Sequence, residues 1–261
     1  MKQLVVNADD FGYTRDVNRG IVEAHQNGIL TATTLMANAP AFDDAVRLAK
    51  ENPTLDIGVH LVLVGEPGFP RTVAQLAKAV MLGRIPIYEE LTAQVRRVVD
   101  AGLRPTHLDT HKHTHLLPPV LDAVARISQE FKIPWVRRPF DFSVTLKGVS
   151  LTKRFTSRAF VLVRGRFGRV LAEHGCKSTD HFAGFQITGH YGAREFARLI
   201  RALPEGSTEF MCHPGICGDE LRAARTRLKE SREKELRALT SPEVRAALEQ
   251  AGVELVSYRE L

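Results

Sequence analysis

Residues 1–36 read MKQLVVNADDFGYTRDVNRGIVEAHQNGILTATTLM, a strand, a helix and a second strand in succession. Leu4–Asn7 is short and apolar, Asp16–Asn27 repeats its apolar residues at helical spacing, and Ala32–Met36 is β-branched again. Asn27-Gly28 places glycine just past the helix, where left-handed backbone is cheap. The pattern continues outward. Further strands are expected at Ile57–Val64, Thr106–Thr110, Trp135–Pro139, His181–Gln186, Glu209–Cys212 and Val253–Val256. Helices are expected at Phe42–Glu51, Tyr88–Ala101, Pro118–Phe131, Ala193–Ala202, Glu220–Leu239 and Pro242–Gln250, the last after a capping Ser241. Strand–helix alternation builds βαβ units and a parallel sheet, and eight strands in ~250 residues suit a barrel. The expected fold is a single TIM-like (β/α) barrel domain over 1–261, regular or distorted. Two loop or helical insertions, about 65–86 and 141–180, interrupt the alternation.

Composition narrows the class. At 44% hydrophobic and 25% charged, the 261-residue chain is an ordinary globular sequence, which excludes disorder, collagen and coiled coil. Cys176, Cys212 and Cys217 make no disulfide framework and suit a reducing compartment. Met1–Asp10 runs straight into a strand with no signal-peptide h-region, and the apolar runs are shorter than the ~18 residues of a span. The expectation is a cytoplasmic protein. The charge of +6 concentrates in 147–169, where Lys147, Lys153, Arg154, Arg158, Arg164, Arg166 and Arg169 alternate with apolar residues and no acid. That segment reads either as a solvated helix over the barrel or as a peripheral contact with an anionic membrane, on its inner face. No nucleic-acid-binding module is recognisable, and a homo-oligomer is left open.

The chemistry-bearing residues sit at expected strand ends. THLDTHKHTH (106–115) places His107, Asp109, His111, His113 and His115 at one parity, hence on one face if the strand runs straight through. Extended, that stretch spans roughly 26 Å, too long for one ion, so one or two are ligands. The others are left to second-layer, substrate or structural roles. Asp9-Asp10 ends the first strand, and adjacent carboxylates are costly to bury without a cation or a shared proton. His60 in IGVHLVLV and His213 in EFMCHPG complete an Asp/His rim with open coordination positions. Asp180-His181, beginning a strand, contacts substrate or caps a turn. The charges of Glu220–Arg237 read as ion pairs on a solvated helix.

NADDFG (7–12), NGILTATTLM (27–36), IGVHLVL (57–63), PTHLDTHKHTH (105–115), MCHPG (211–215) and SYREL (257–261), in that order, resemble the YdjC-like carbohydrate deacetylase family, which includes chitooligosaccharide and hopanoid-associated deacetylases. The resemblance implies a TIM-like barrel and one divalent metal held by Asp10, His60 and His111. By analogy with the more distant NodB-type polysaccharide deacetylases, Asp9 would be the general base and His213 the acid. The implied reaction removes an N-acetyl group from an amino sugar, oligosaccharide or lipid-linked, and releases acetate. Asp109 would then accept the second N–H of a ligand histidine. Arg137 or Arg138, in WVRRP, could orient Asp9 or bind a sugar hydroxyl, and His113 and His115 would support the site or touch substrate. Zn²⁺ and Mg²⁺ lead the candidate ions, with Mn²⁺, Co²⁺ and Ni²⁺ compatible with the ligand types. Rival readings are another metal-dependent barrel enzyme, a sugar isomerase or phosphoesterase, and a non-catalytic binder of carbohydrate or lipid head groups.

Overall fold

Strand β1 (Lys2–Phe11) is almost wholly buried and organises the rest of the sheet. One edge pairs with β7 (Gly206–Cys212) from Lys2 to Ala8. The same strand pairs with β8 (Val253–Leu255) over Lys2–Leu4 and with β2 (Ala32–Leu35) from Asn7 to Phe11. Its length therefore serves three partners. The computed structural model describes residues 1–142, 160 and 162–261.

Every pairing is parallel, and the order runs β5-β4-β3-β2-β1-β7-β6, with β8 off this path against β1. The remaining strands are β3 (Asp56–Leu61), β4 (His107–Thr110), β5 (Trp135–Val136) and β6 (His181–Ala183). The sheet curls until its ends meet through single bridges, Trp135 to Lys177 and Asp141 to Phe182. The result is a curled parallel sheet, a distorted barrel rather than a regular eight-strand ring.

Helices α1 (Arg15–Gln26), α2 (Phe42–Glu51), α3 (Val73–Met81), α4 (Ile87–Asp100), α5 (Pro118–Phe131), α6 (Arg164–Glu173), α7 (Ala193–Arg201), α8 (Asp219–Ala223), α9 (Glu230–Leu239) and α10 (Pro242–Ala251) are the α-helices among the described residues. Their ends follow local chemistry. Thr14 accepts the Val17 N–H at the start of α1, Thr72 and Gln75 form a capping box on α3, and Gly252 closes α10 at φ 62°. No helix among the described residues is long and apolar enough to cross a membrane.

Residues 65–86, expected as a loop or helical insertion, contain α3, and the described part of 141–180 contains α6, between β5 and β6. The helix expected over Glu220–Leu239 is two helices; Thr226 Oγ1 accepts the Leu228 N–H between them, a local bond that competes with helix. Most of the basic segment 147–169 lies outside the described residues.

Alternation along β1 separates two environments. Leu4, Val6 and Ala8 join the large core with α1 residues Val17, Ile21 and Ala24. Val5, of opposite parity, packs with Ala32, Trp135, Val256 and Tyr258. Continuing that parity, Asn7 meets His107 Nε2 at 3.0 Å and Asp9 meets Arg137, so the inner face changes from apolar to ionic toward the C-terminal strand ends. That is the end at which parallel barrels carry their sites.

Candidate metal and acid–base site

Consecutive strand residues face opposite sides, so Asp9 and Asp10 should diverge. They do not, because the β1–β2 register shifts between Ala8 and Phe11 and Asp10 adopts φ 70°. Left-handed backbone is costly for a residue with a Cβ, and such strain is held only where surroundings enforce it. Both carboxylates thereby line a cavity of ≈ 430 Å³ shared with His111, His113, His213 and Arg232.

Each carboxylate has its own guanidinium. Arg137 forks onto Asp9, Nη1 to Oδ2 at 2.8 Å and Nη2 to Oδ1 at 2.6 Å. The same side chain reaches Glu209 at 2.7 Å and Asp109 at 2.5 Å. Arg232, on α9, donates from Nη2 to Asp10 Oδ2. Asp10 Oδ1 receives no hydrogen bond among the described residues, although it is buried. Buried polar atoms without partners are rare and call for a reason.

The reason is next to it. His111 Nδ1 lies 3.4 Å and His60 Nε2 3.5 Å from Asp10 Oδ1, and the two nitrogens are 3.2 Å apart. Ligands about 2.0–2.2 Å from one ion subtend separations of this size. His60 Nδ1 is 2.7 Å from Asp109 Oδ1, and a carboxylate only accepts, so Nδ1 carries a proton and Nε2 is the nitrogen whose lone pair a cation would take. Asp9, His60 and Asp109 also converge, but Arg137 fills both oxygens of Asp9 and the outer oxygen of Asp109. Asp10, His60 and His111 are therefore the group that could hold a metal ion.

Charge supports the same trio. Asp9, Asp10, Asp109 and Glu209 are buried against two buried guanidiniums, Arg137 and Arg232, an excess of two negative charges before the imidazoles are counted. Burial pushes Glu209 up to about 7 despite Arg137. Burial opposes a charge on His60, yet Asp109 outweighs it and pushes the imidazole up to about 9, so without a metal Nε2 is protonated too and a cation would replace that proton. Asp10 is held well below the carboxylate range against its burial, chiefly by Arg232. A site this acidic suits a cation.

His213 Nε2 sits 3.8 Å from Asp9 Oδ2, neighbouring but not hydrogen-bonded. Burial pushes it down to about 4. His113 lines the cavity beside Phe185. His115 lies behind it, with Nδ1 at Thr110 Oγ1 and Nε2 at the Arg137 carbonyl, so it holds Arg137 rather than facing the cavity.

Other expectations are corrected. The strand ends at Thr110; a 3₁₀ turn with Lys112 and His113 in left-handed backbone follows, so the shared parity of 107–115 breaks there. His107 stacks on Tyr258 deep in the barrel. Arg137, not Arg138, is in the site. Asp180 and His181 lie at the N-terminal start of β6, away from it. Asp180 accepts from Ser207, and His181 contacts the Glu205 carbonyl. Arg232 and Glu235, read as part of a solvated helix, are buried at the site's edge. Glu209, a charge inside the apolar run EFMC, is a signal that sequence reading passed over.

Residues 3–250 match the family model described as YdjC-like protein. The chain belongs to the YdjC-like family. Curated relatives include a carbohydrate deacetylase of Brevibacillus brevis (strain 47), 35% identical over 99% of both chains. Another carbohydrate deacetylase, from Geobacillus stearothermophilus, is 36% identical over 98% of this chain and 96% of its own. Among solved structures, an Enterococcus faecalis V583 protein provisionally described as a cellobiose-phosphate cleavage protein superposes with TM-score 0.76 at 26% identity. The match covers 99% of this YdjC-like chain and 98% of that one.

Proposed function

We propose that this YdjC-like chain, working as one barrel domain, is a metal-dependent hydrolase that removes the N-acetyl group from an amino sugar. The observation that carries the reading is the unpartnered Asp10 Oδ1 facing Nε2 of His60 and Nδ1 of His111, beside an Asp9 already fixed by Arg137. The deacetylase relatives support the substrate class.

Asp10, His60 and His111 would hold one divalent cation, Zn²⁺ or Mg²⁺ first. When bound, it supplies Lewis-acid polarisation of an otherwise unreactive acetamide carbonyl and lowers the pKa of water. Arg137 keeps Asp9 oriented toward the cavity, where it accepts the proton released as water attacks the amide carbon. His213 is uncharged at rest, so the proton it gives the departing amine is one acquired during the reaction. Its nearness to Asp9 supplies the route. Cleavage of the C–N bond yields acetate and a free amino sugar.

The cavity continues into one of ≈ 1060 Å³, the two sharing Tyr13, Gly65, Glu66 and Arg225. That space suits a substrate with further units, an oligosaccharide or a lipid-linked sugar. The test is acetate release from N-acetylglucosamine oligomers and glycolipids, before and after chelation and with metal restored. Chelator-sensitive acetate release is expected; none from any substrate, with metal shown to be bound, contradicts the assignment.

A further inference from the structure

Two adjacent carboxylates are bound in different ways. Arg137 engages both oxygens of Asp9, the ordinary fork of a structural pair. Arg232 engages only Oδ2 of Asp10, while Oδ1 and the guanidinium's own Nη1 have no partner among the described residues. An arginine placed merely to neutralise Asp10 gains by forking. One that anchors a single oxygen fixes the carboxylate plane and leaves the other oxygen facing His60 and His111.

Arg232 is itself built in. Its Nε donates to the Leu228 carbonyl at 3.2 Å, and its backbone carbonyl accepts the Gly215 N–H at 3.3 Å. A Cβ on Gly215 would meet Arg232 Cδ at 3.1 Å, and one on Gly20 would meet Gly215 Cα at 2.4 Å. The His213-Pro214-Gly215 turn is thus wedged between α1 and the Arg232 stem. Three residues on, and so on the same helix face, Glu235 accepts the N–H groups of His213 at 2.6 Å and Gly189 at 2.7 Å, and the Tyr191 hydroxyl at 3.0 Å. One helix therefore touches both halves of the site.

We propose that Arg232 is a positioning residue that presents Asp10 through one oxygen to the cation, and that Glu235 positions the His213 turn from the same face of α9. The proposal rests on the metal-site reading above and deepens it. Neither side chain need touch substrate. Losing the partner that orients a ligand typically weakens metal binding about 10–100-fold.

The experiment titrates the metal-stripped full chain with Co²⁺, read by its visible absorption, for wild type, Arg232→Met, Arg232→Lys and Glu235→Gln. Arg232→Met should bind Co²⁺ at least about tenfold more weakly with an altered d–d spectrum, and Arg232→Lys should recover part of the loss. If Arg232→Met does not fold, Arg232→Lys carries the test by itself, because a single ammonium keeps the charge but not the anchored geometry. Glu235→Gln should leave Co²⁺ affinity unchanged and lower kcat for acetate release with KM retained. Wild-type affinity and spectrum in the folded Arg232 variants overturn the proposal alone. A wild type that binds no Co²⁺ overturns the metal reading and this proposal together.

Discussion

His60 donates from Nδ1 to Asp109 Oδ1 at 2.7 Å, and this bond decides which imidazole nitrogen remains to bind a cation. Thr34 Oγ1 at 3.1 Å and Arg137 at 2.5 Å hold the other carboxylate oxygen. Asp109→Asn keeps the shape and removes the charge that fixes the tautomer. Metal affinity should fall about 10–100-fold, as measured by titration of the metal-stripped protein. Undiminished affinity would mean that His60 needs no such partner.

Asp9→Asn separates chemistry from binding. Asp9 lies outside the proposed ligand trio, so metal affinity should stay within about threefold while kcat falls by about 10²–10⁴, the usual size of a general-base contribution. Parallel metal titration and acetate kinetics check it. A variant that loses its metal as well would place Asp9 among the ligands.

Arg137→Met strands Asp9, Asp109 and Glu209 in the interior with no guanidinium among them. Removing one partner from a buried ionic group costs about 3–5 kcal/mol, which should appear as a lower urea midpoint with an unchanged slope. Arg137→Lys should recover only part, since one ammonium cannot hold three carboxylates in the geometry of a fork.

Gly58 in β3 lies against His107, where a Cβ would come within 2.5 Å of the imidazole. Gly58→Ala should therefore displace the ring from Tyr258 and Asn7, at about 1–3 kcal/mol for an overpacked core. Denaturant unfolding measures the loss. A fully stable alanine variant would show that β3 and β4 can separate freely here.

Burial pushes His107 down to about 3, so in the folded protein it stays neutral where the unfolded chain, near 6.5, takes up a proton. Unfolding binds protons across that window, and this contribution to stability falls as pH drops from 6.5 toward 3, by up to about 1.4 kcal/mol per pH unit. His107→Gln should flatten the pH dependence of the urea midpoint in that range. An unchanged slope would assign the acid sensitivity to the carboxylates.

All eight strands among the described residues were legible, because short β-branched runs bounded by turns survive any detail of barrel closure. Phe42–Glu51 and Pro118–Phe131 were legible to the residue, the second opening on Pro118 at its first turn. The detour of β8, which pairs beneath β2 on β1 instead of closing the ring, depends on long-range pairing and left no local mark. At the site, Asp9, Asp10 and His60 announced themselves as polar residues ending or interrupting apolar strands, whereas only the family resemblance singled out His111 among the histidines of 107–115. The parity argument over 107–115 failed because Lys112 and His113 turn left-handed after Thr110, which a His-Lys-His string does not signal. Arg232 and Glu235 were hidden for a physical reason. Spaced i, i+3 in a highly charged helix, they look like a surface ion pair, and only tertiary contact reveals that each is buried against a different half of the site.

Where the ion sits decides the proposed chemistry. The most direct measurement is an anomalous difference map from crystals grown with Zn²⁺, recorded on both sides of the zinc edge. It should show one edge-dependent peak about 2.0–2.2 Å from Asp10 Oδ1, His60 Nε2 and His111 Nδ1. A peak among Asp9, Asp109 and Glu209, or no peak in crystals of a chain that binds zinc in solution, would contradict it.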